Sequence, residues 1–236
     1  MSRRTFLRRP HTRPLDETLL ERYLLRCNPR CLYEHPEQFP RLCSRELFGN
    51  DAPLELEVGC GSAEFLCALA AKEPAANFVG VDIAYKPLEK AVELAASLAL
   101  ENLRLLKGNF AQMYPLLAPR ALRRVYVHFP DPNTRPKFRR RRIVTPMFLD
   151  AMHRALAPGG TLSVMTDHAA FFLEMLALLE ADCRFEKTHA ERYLLGFEPE
   201  VKSRFQLVWE RHGLPILRCE LRKRPWPIWG METPAP

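Results

Sequence analysis

The sequence predicts an α/β fold with a doubly wound parallel sheet and helices on both faces, and three observations support this. Short apolar runs alternate with segments of helical periodicity between residues 54 and 181. The connections between them are short. A Gly-x-Gly loop, Gly59 to Gly61, joins the first run to the first helical segment. In such sheets ligands bind beyond the carboxyl ends of the strands, where the strand order reverses.

Each element of the predicted sheet follows from its local pattern. Apolar runs bounded by turn residues predict strands, and apolar residues at helical spacing predict the helices between them. The predicted strands cover residues 54–58, 77–82, 103–107, 124–128 and 161–166. The predicted helices cover residues 63–71, 87–98, 145–156 and 169–181, with a short helix near residues 110–117.

The segments that flank this core are less regular. Leucines at helical spacing predict a helix from residue 15 to about residue 27, and a short helix is expected near residues 40–48. Further along, the pattern gives a candidate edge strand at 183–187, a segment that fits either helix or strand at 201–211, and a strand at 214–223.

Three regions follow from this pattern. We expect a basic arm and N-terminal helical extension over residues 1–43, the principal domain over residues 44–224, and a Pro/Trp-rich tail over residues 225–236. The prolines of the tail leave no regular element there.

The positive charge of the chain is concentrated in two places. Residues 1–13 hold five arginines and no acid, and residues 120–142 hold nine Lys/Arg and one Asp. Without these 14 basic residues and one acidic residue, the chain totals of 35 and 28 leave a net charge of −6. Clustered arginine suits phosphate backbones, because its planar guanidinium binds phosphate in a bidentate manner. We therefore expect contact with nucleic acid.

Composition argues against a membrane protein and for a cytoplasmic one. No apolar run reaches the length of a membrane span. The chain begins with a twin-arginine-like segment, but the apolar stretch of an export signal does not follow it. Seven scattered cysteines without a Cys-x-x-Cys motif indicate reduced thiols, and no metal site is expected. The sequence leaves open whether the protein is a monomer or a homodimer.

The segment around the Gly-x-Gly loop indicates a cationic nucleoside cofactor. A dinucleotide fingerprint would have a third glycine at the position of Glu64. Glu57, directly before the loop, suits a ligand with an amino-acid moiety better than a pyrophosphate. Asp82 ends the second strand, where a carboxylate accepts hydrogen bonds from ribose hydroxyls, and Asn109 ends the third, where an amide can pair with an adenine edge. Together these residues resemble the Rossmann-like sheet of class I S-adenosylmethionine-dependent methyltransferases.

Several segments resemble the bacterial tRNA (guanine-N7-)-methyltransferase family between about residues 44 and 223. They include the Leu-Glu-Leu-Glu-Val-Gly-Cys-Gly segment ending at Gly61, the Phe-Pro-Asp-Pro turn at residues 129–132 with the basic run after it, and Thr166-Asp167. The family transfers a methyl group from S-adenosylmethionine to N7 of a guanine in the variable loop of tRNA, position 46 in tRNA numbering.

The resemblance implies a set of site residues. For the cofactor pocket it implies Glu57, Gly59, Gly61, Asp82, Asn109 and Asp131. Asp131 is also the implied catalytic residue, and the residues implied to face the substrate are Arg135, Asp167, Ser203 and Gln206.

The chain departs from the family pattern at several positions of this set. Asn133 stands where the family has Trp, Asn109 where an Asp is common, and Ser203 and Gln206 where the family has Thr-x-x-Glu. These departures leave two alternatives beside tRNA methylation. One is a methyltransferase that acts on another RNA or on a protein. The other is a catalytically weak or inactive RNA-binding homologue.

Overall fold

The structure is a computed structural model that describes residues 16–132, 142–199 and 201–225. Within these residues nine strands form one sheet, and six of them, β1 to β6, run parallel. The strands are β1 (Leu24–Arg26), β2 (Leu54–Val58), β3 (Asn77–Asp82), β4 (Leu103–Lys107), β5 (Leu122–His128), β6 (Leu156–Thr166), β7 (Phe185–Lys187), β8 (Leu194–Leu195) and β9 (Leu217–Lys223).

The helices connect these strands in the alternation that the sequence predicts. They are α1 (Glu17–Tyr23), α2 (Pro29–Glu34), α3 (Ser44–Phe48), α4 (Glu64–Lys72), α5 (Tyr85–Ser97), α6 (Pro146–Ala155), α7 (Ala169–Ala181) and α8 (Arg204–Arg211), with short 3-10 helices at Pro36–Gln38 and Phe110–Leu116. None of the helices in the described ranges has the length and apolar character needed to cross a bilayer.

The strand order is β1-β4-β3-β2-β5-β6-β9-β7, with β8 paired to β9. From β2 the chain first builds outward through β3 and β4, and then returns to the other side of β2 with β5 and β6. The switch in strand order therefore lies between β2 and β5, and ligands of such sheets bind at the carboxyl ends of these two strands. The predicted doubly wound parallel sheet is confirmed, with β9 running antiparallel to β6.

The two faces of the sheet are packed by different helices. One apolar cluster joins α4, α5 and α1 to residues such as Phe78 and Leu105. A second cluster joins α6, α7 and the Phe110–Leu116 helix to the opposite side chains of the strands, such as Leu56 and Val79. Because side chains alternate along a strand, Glu55 and Glu57 of β2 point to the face that α4 covers. The same face carries Tyr126 and His128 of β5.

Most predicted elements are confirmed, some with shifted ends. The strands at 54–58, 77–82 and 103–107 and the helix at 169–181 match residue for residue. β6 begins earlier than predicted, at Leu156, because Leu156 already pairs with Leu122 of β5. The Ala-Pro-Gly-Gly segment then forms an irregularity, with Gly159 at a φ of 75°, before regular pairing resumes at Thr161. The ambiguous segment at 201–211 contains a helix, α8.

The predicted helix at residues 15–27 is wrong at its C-terminal end. The helix stops at Tyr23, and the next three residues form β1, which pairs in parallel with β4. Leu24 and Leu25 have good helical propensity, but the open edge of β4 offers backbone hydrogen bonds and an apolar surface to the same residues. Tertiary pairing therefore overrides the local preference.

Candidate functional site

The glycine loop after β2 is held by hydrogen bonds that its amides donate to the neighbouring strand β3. The amides of Gly59 and Cys60 donate to the carbonyl of Val81 at 2.8 and 3.1 Å. Gly59 and Gly61 have φ angles of 83° and 55°, a left-handed conformation that glycine adopts without a steric penalty. The tight turn leaves the N-terminus of α4 directed at the carboxyl edge of the sheet.

Asp82 is fixed at the end of β3 by the same loop. Its Oδ2 accepts a hydrogen bond from the Gly61 amide at 2.8 Å, and its Oδ1 accepts one from the Ala84 amide at 2.7 Å. On the next strand the Gly108 amide donates to the Asp82 carbonyl at 2.9 Å. Asn109 follows, and its Oδ1 accepts from the Ala111 amide at 3.1 Å. The structure thus brings Asp82, Asn109 and the glycine loop together at one edge.

Glu57 is buried directly below this loop, and its Oε2 has no hydrogen-bond partner among the described residues. Burial, together with the nearby charges of Asp82 and Glu64, raises the pKa of this carboxyl to about 8. A buried acceptor without a donor is costly unless a ligand or water supplies one. Three carboxyl groups around a glycine loop create a site that favours a cationic ligand.

The Phe-Pro-Asp-Pro turn follows β5 on the other side of the switch. Phe129 has a φ of 50°, and its amide donates to the Met165 carbonyl of β6 at 2.7 Å. A positive φ at a bulky residue is strained, and such strain is typical of functional turns. Asp131 is exposed two residues later. Asp167 follows β6 and lies beside the hydroxyl of Thr166, with an Oγ1 to Oδ1 distance of 3.4 Å.

The helix α8 covers the same edge from the α4 side. Ser203 caps it, because its Oγ accepts a hydrogen bond from the Gln206 amide at 3.1 Å. Arg204 reaches Glu64 of α4 with an N–O distance of 3.3 Å. The ring of Phe205 lies 5.8 Å from that of Phe129. α8 is therefore tied both to the helix after the glycine loop and to the turn that carries Asp131.

A cavity of about 120 Å³ lies beneath α8, on the face of the sheet that α4 covers. Its polar lining includes Tyr126 and His128 of β5, Arg218 of β9 and Gln206 of α8. His128 is a residue that the sequence prediction missed, because nothing in an alternating strand marks one histidine as special. Burial and the charge of Arg218 lower the pKa of His128 to about 3, so the ring is neutral at physiological pH.

Of the two arginines at the ends of the basic run, residues 135–142, the structure describes only the second. Arg135, predicted to face the substrate, lies outside the described residues. Arg142 lies within them and forms an ion pair with Glu174, while its guanidinium sits 5.0 Å above the ring of Phe171. Arg142 therefore anchors the C-terminal end of the run to α7.

Comparison with known proteins agrees with this geometry. A family model described as a putative methyltransferase matches residues 51–218. A tRNA (guanine-N(7)-)-methyltransferase of Rubrobacter xylanophilus is 51% identical over 221 residues, which are 94% of this chain and 99% of the relative. One of Chloroherpeton thalassium is 36% identical and covers 90% of this chain and 94% of its own length.

The chain belongs to the tRNA (guanine-N7-)-methyltransferase family. Solved structures support the fold of this family member. An antibiotic-related methyltransferase aligns with a TM-score of 0.56 at 15% identity, covering 78% of this chain and 96% of its own. The antibiotic-resistance methyltransferase Kmr aligns with a TM-score of 0.53 at 16% identity, covering 74% and 88%. The order of strands that places Glu57 next to the Phe-Pro-Asp-Pro turn is thus the class I methyltransferase arrangement, as the sequence predicted.

Proposed function

We propose that this protein transfers a methyl group from S-adenosylmethionine to N7 of a guanine in tRNA. The observation that carries the proposal is the buried carboxyl of Glu57, which has an oxygen without a partner and lies at the switch point between the glycine loop and the turn with Asp131. Membership of the tRNA (guanine-N7-)-methyltransferase family identifies the reaction class.

The residues around the glycine loop fit S-adenosylmethionine. Glu57 would accept hydrogen bonds from the amino group of its methionine part, and this pairing would draw the pKa of the carboxyl down from about 8. Asp82 would hold the ribose hydroxyls, Asn109 would meet the adenine edge, and Gly59 and Gly61 would let the backbone approach closely. When bound, the cofactor supplies an electrophilic methyl group on a sulfonium sulfur.

The chemistry at guanine requires orientation more than proton transfer. N7 carries a lone pair and no proton, so the site needs no general base to make it a nucleophile. Its main task is to hold N7 in line with the methyl carbon and sulfur. Positive charge develops on the purine during methylation, and the carboxylates of Asp131 and Asp167 at neighbouring strand ends would stabilise it. Asp131 is accordingly the proposed catalytic residue and also borders the cofactor pocket.

The same proposal assigns residues to the binding of the tRNA substrate. Arg135 and the arginines after it would bind phosphates that flank the target, and Ser203 and Gln206 would face the base from α8. The target would be the variable-loop guanine at position 46. A cytoplasmic location fits the seven cysteines, which are all free thiols.

The test is incubation of the protein with radiolabelled S-adenosylmethionine and unmodified tRNA, followed by nucleoside analysis. We expect the label in 7-methylguanosine, and we expect a transcript with adenine at position 46 to accept none. Label in another nucleoside would support the alternative of a different RNA target, and no label with intact cofactor binding would support the inactive RNA-binding homologue. Label in 7-methylguanosine from the transcript changed at position 46 would refute only the assignment of that position.

A further inference from the structure

The first turn of α8 presents one aromatic side chain to solvent. Ser203 and Gln206 are only 7% and 1% exposed, and Gln206 Nε2 donates to Glu210. Phe205 lies between them in the chain and is 39% exposed. Among the phenylalanines that the structure describes, Phe205 alone is exposed. This turn therefore offers a flat apolar surface to a ligand.

Phe205 lies at the border of a small apolar cluster beneath α8. The cluster consists of Phe129, Met165 and Ile216, with Phe197 and Trp209 packed against them. The ring centroid of Phe205 lies 5.8 Å from that of Phe129, and the two ring planes are inclined by 32°. A single exposed apolar side chain is ordinary on a protein surface. The location of Phe205 is what points to a ligand.

Phe205 adjoins the turn that carries the proposed catalytic residue. Its ring partner Phe129 begins the Phe-Pro-Asp-Pro turn, and Asp131 follows two residues later. One residue spans at most about 3.6 Å, so the Cα atoms of Phe129 and Asp131 are no more than about 7 Å apart. Asp131 is itself exposed. A base that rests on the accessible part of the Phe205 ring is therefore within reach of the Asp131 carboxylate.

The residues around the ring fix its position. Arg204, directly before Phe205, pairs with Glu64 of α4 at an N–O distance of 3.3 Å. On the other side, the Phe129 amide donates to the Met165 carbonyl at 2.7 Å. A surface that is in place before the ligand arrives costs less ordering on binding. The ring is thus pre-organised for a planar partner.

A base that leaves its stack in RNA needs such a partner. Enzymes that act on a base commonly take it out of the stack, which costs unstacking energy. Unstacked bases of RNA are bound by stacking on aromatic side chains and by hydrogen bonds to their edges. The carboxylates near the turn can supply only the hydrogen bonds. An exposed phenylalanine beside them can replace the lost stacking.

We infer that Phe205 stacks on the target guanine and positions it beside Asp131. The inference rests on the proposed function and adds a residue to it. The lone pair of N7 lies in the plane of the purine, so a stack that fixes this plane also restricts the direction in which N7 attacks the methyl carbon. Every base has a π-face, so Phe205 contributes affinity and orientation, while hydrogen-bonding groups select guanine.

A double-mutant cycle between protein and tRNA measures this contact. The protein is varied at Phe205, and the tRNA carries either guanine or an abasic site at the target position. The Kd is measured with S-adenosylhomocysteine present, so that no methyl transfer occurs. We expect Phe205→Ala to weaken binding of the guanine tRNA by roughly 5- to 150-fold, the range of one base–aromatic stack. Binding of the abasic tRNA should stay nearly unchanged, because that tRNA has no base to stack.

Two further substitutions at the same position separate stacking from packing. Phe205→Tyr keeps a flat ring and should behave like the wild-type protein. Phe205→Leu keeps an apolar contact with Phe129 but has no ring, so it should lose most of the preference for the guanine tRNA. Leu207→Ala is the matched control, since Leu207 is 42% exposed on the same helix but points to a different side. It should leave both Kd values unchanged.

Thermal stability is measured for every variant, and methyl transfer by the wild-type protein is measured on the same guanine tRNA. Equal weakening of both tRNAs by Phe205→Ala, or no weakening of either, would overturn the inference. Wild-type behaviour of Phe205→Leu, or a guanine-dependent loss in Leu207→Ala, would do the same. Absence of 7-methylguanosine with the wild-type protein would instead refute the proposed function.

Discussion

At the scale of single residues, β2 carries two buried glutamates with opposite environments. Glu55 accepts hydrogen bonds from Arg123 Nε at 2.8 Å and from the Tyr126 hydroxyl at 2.7 Å. Glu57, on the same face two residues later, has an oxygen without a partner among the described residues. The first carboxyl is satisfied by the fold itself. The second is not, and we expect the ligand of the proposed function to supply its partner, since functional sites commonly give up some stability.

This contrast predicts opposite effects of one substitution at the two positions. The pKa of Glu57 in the folded protein, about 8, lies above its ordinary value of 4.5. The folded protein therefore holds a proton that the unfolded chain releases, and stability falls as pH rises from 4.5 towards 8. Glu57→Gln should remove this fall and raise the free energy of unfolding at pH 8 by about 1–3 kcal/mol. Urea unfolding of the wild-type protein and the variant at pH 5.5 and pH 8 measures this change in the free energy of unfolding.

Glu55→Gln is the matched control, and we expect it to destabilise the protein by about 1–3 kcal/mol, since it weakens a buried charge-assisted pair. Calorimetry then measures the affinity of both variants for S-adenosylmethionine. Glu57→Gln should weaken binding of S-adenosylmethionine at least about tenfold, whereas Glu55→Gln should leave it nearly unchanged. If both variants shift stability in the same direction, the assignment of Glu57 as an unsatisfied group is wrong.

Asp131 gives a second prediction at this scale. Asp131→Ala should reduce methyl transfer by about 100-fold or more, because it removes a carboxylate beside the charge that develops on the purine. Cofactor affinity should change little. Single-turnover transfer and calorimetry separate the two effects, and Asp131→Asn serves as an isosteric control without the charge. A parallel loss of cofactor affinity would assign Asp131 mainly to the cofactor pocket.

The residue scale also divides what the sequence predicts from what it does not. Glu57, Asp82 and Asn109 could be placed near strand ends because the runs that form β2, β3 and β4 stop within two residues of them. His128 could not, since its partners Ser163 and Arg218 come from strands far away in the chain. A residue whose role is set by long-range contacts leaves no local pattern to read.

At the scale of elements, α8 is a helix although its sequence pattern is ambiguous. Its residues fit either a helix or a strand by periodicity. Two contacts favour the helix: Ser203 caps the first turn, and Gln206 donates to Glu210 one turn later. β1 shows the reverse case, because pairing with β4 converts residues of helical propensity into a strand. Both outcomes depend on what each segment packs against.

The cap of α8 gives a prediction for this element. Ser203→Ala should destabilise the protein by about 1 kcal/mol, because the Gln206 amide loses its acceptor. It should also lower kcat/KM for tRNA, since α8 positions Gln206 over the cavity. Ser203→Thr, which keeps the hydroxyl, is the control. Chemical denaturation and steady-state kinetics measure the two effects, and an unchanged kcat/KM despite a loss of stability would remove α8 from the site.

At the scale of the whole molecule, acidic and basic side chains are concentrated in different places. The carboxyl groups Glu57, Glu64 and Asp82 gather around the glycine loop and favour a cation. The arginines concentrate in the two basic segments, at residues 1–13 and 120–142. This distribution fits the proposed function, in which the negative pocket would hold the sulfonium and the basic segments would contact the polyanionic tRNA. Net charge alone, at +7, would have indicated only the second.

The salt dependence of tRNA binding tests this division. Replacing Arg139, Arg140 and Arg141 together by Ala should raise the Kd for tRNA and reduce the slope of log Kd against log salt by about 2, at roughly 0.7–0.9 per lost phosphate contact. Arg142→Ala is the internal control, because Arg142 is paired with Glu174 over Phe171. It should leave the slope unchanged and lower thermal stability instead. Filter binding across a salt series gives both slopes, and an unaltered slope in the triple variant would show that the run does not bind phosphates.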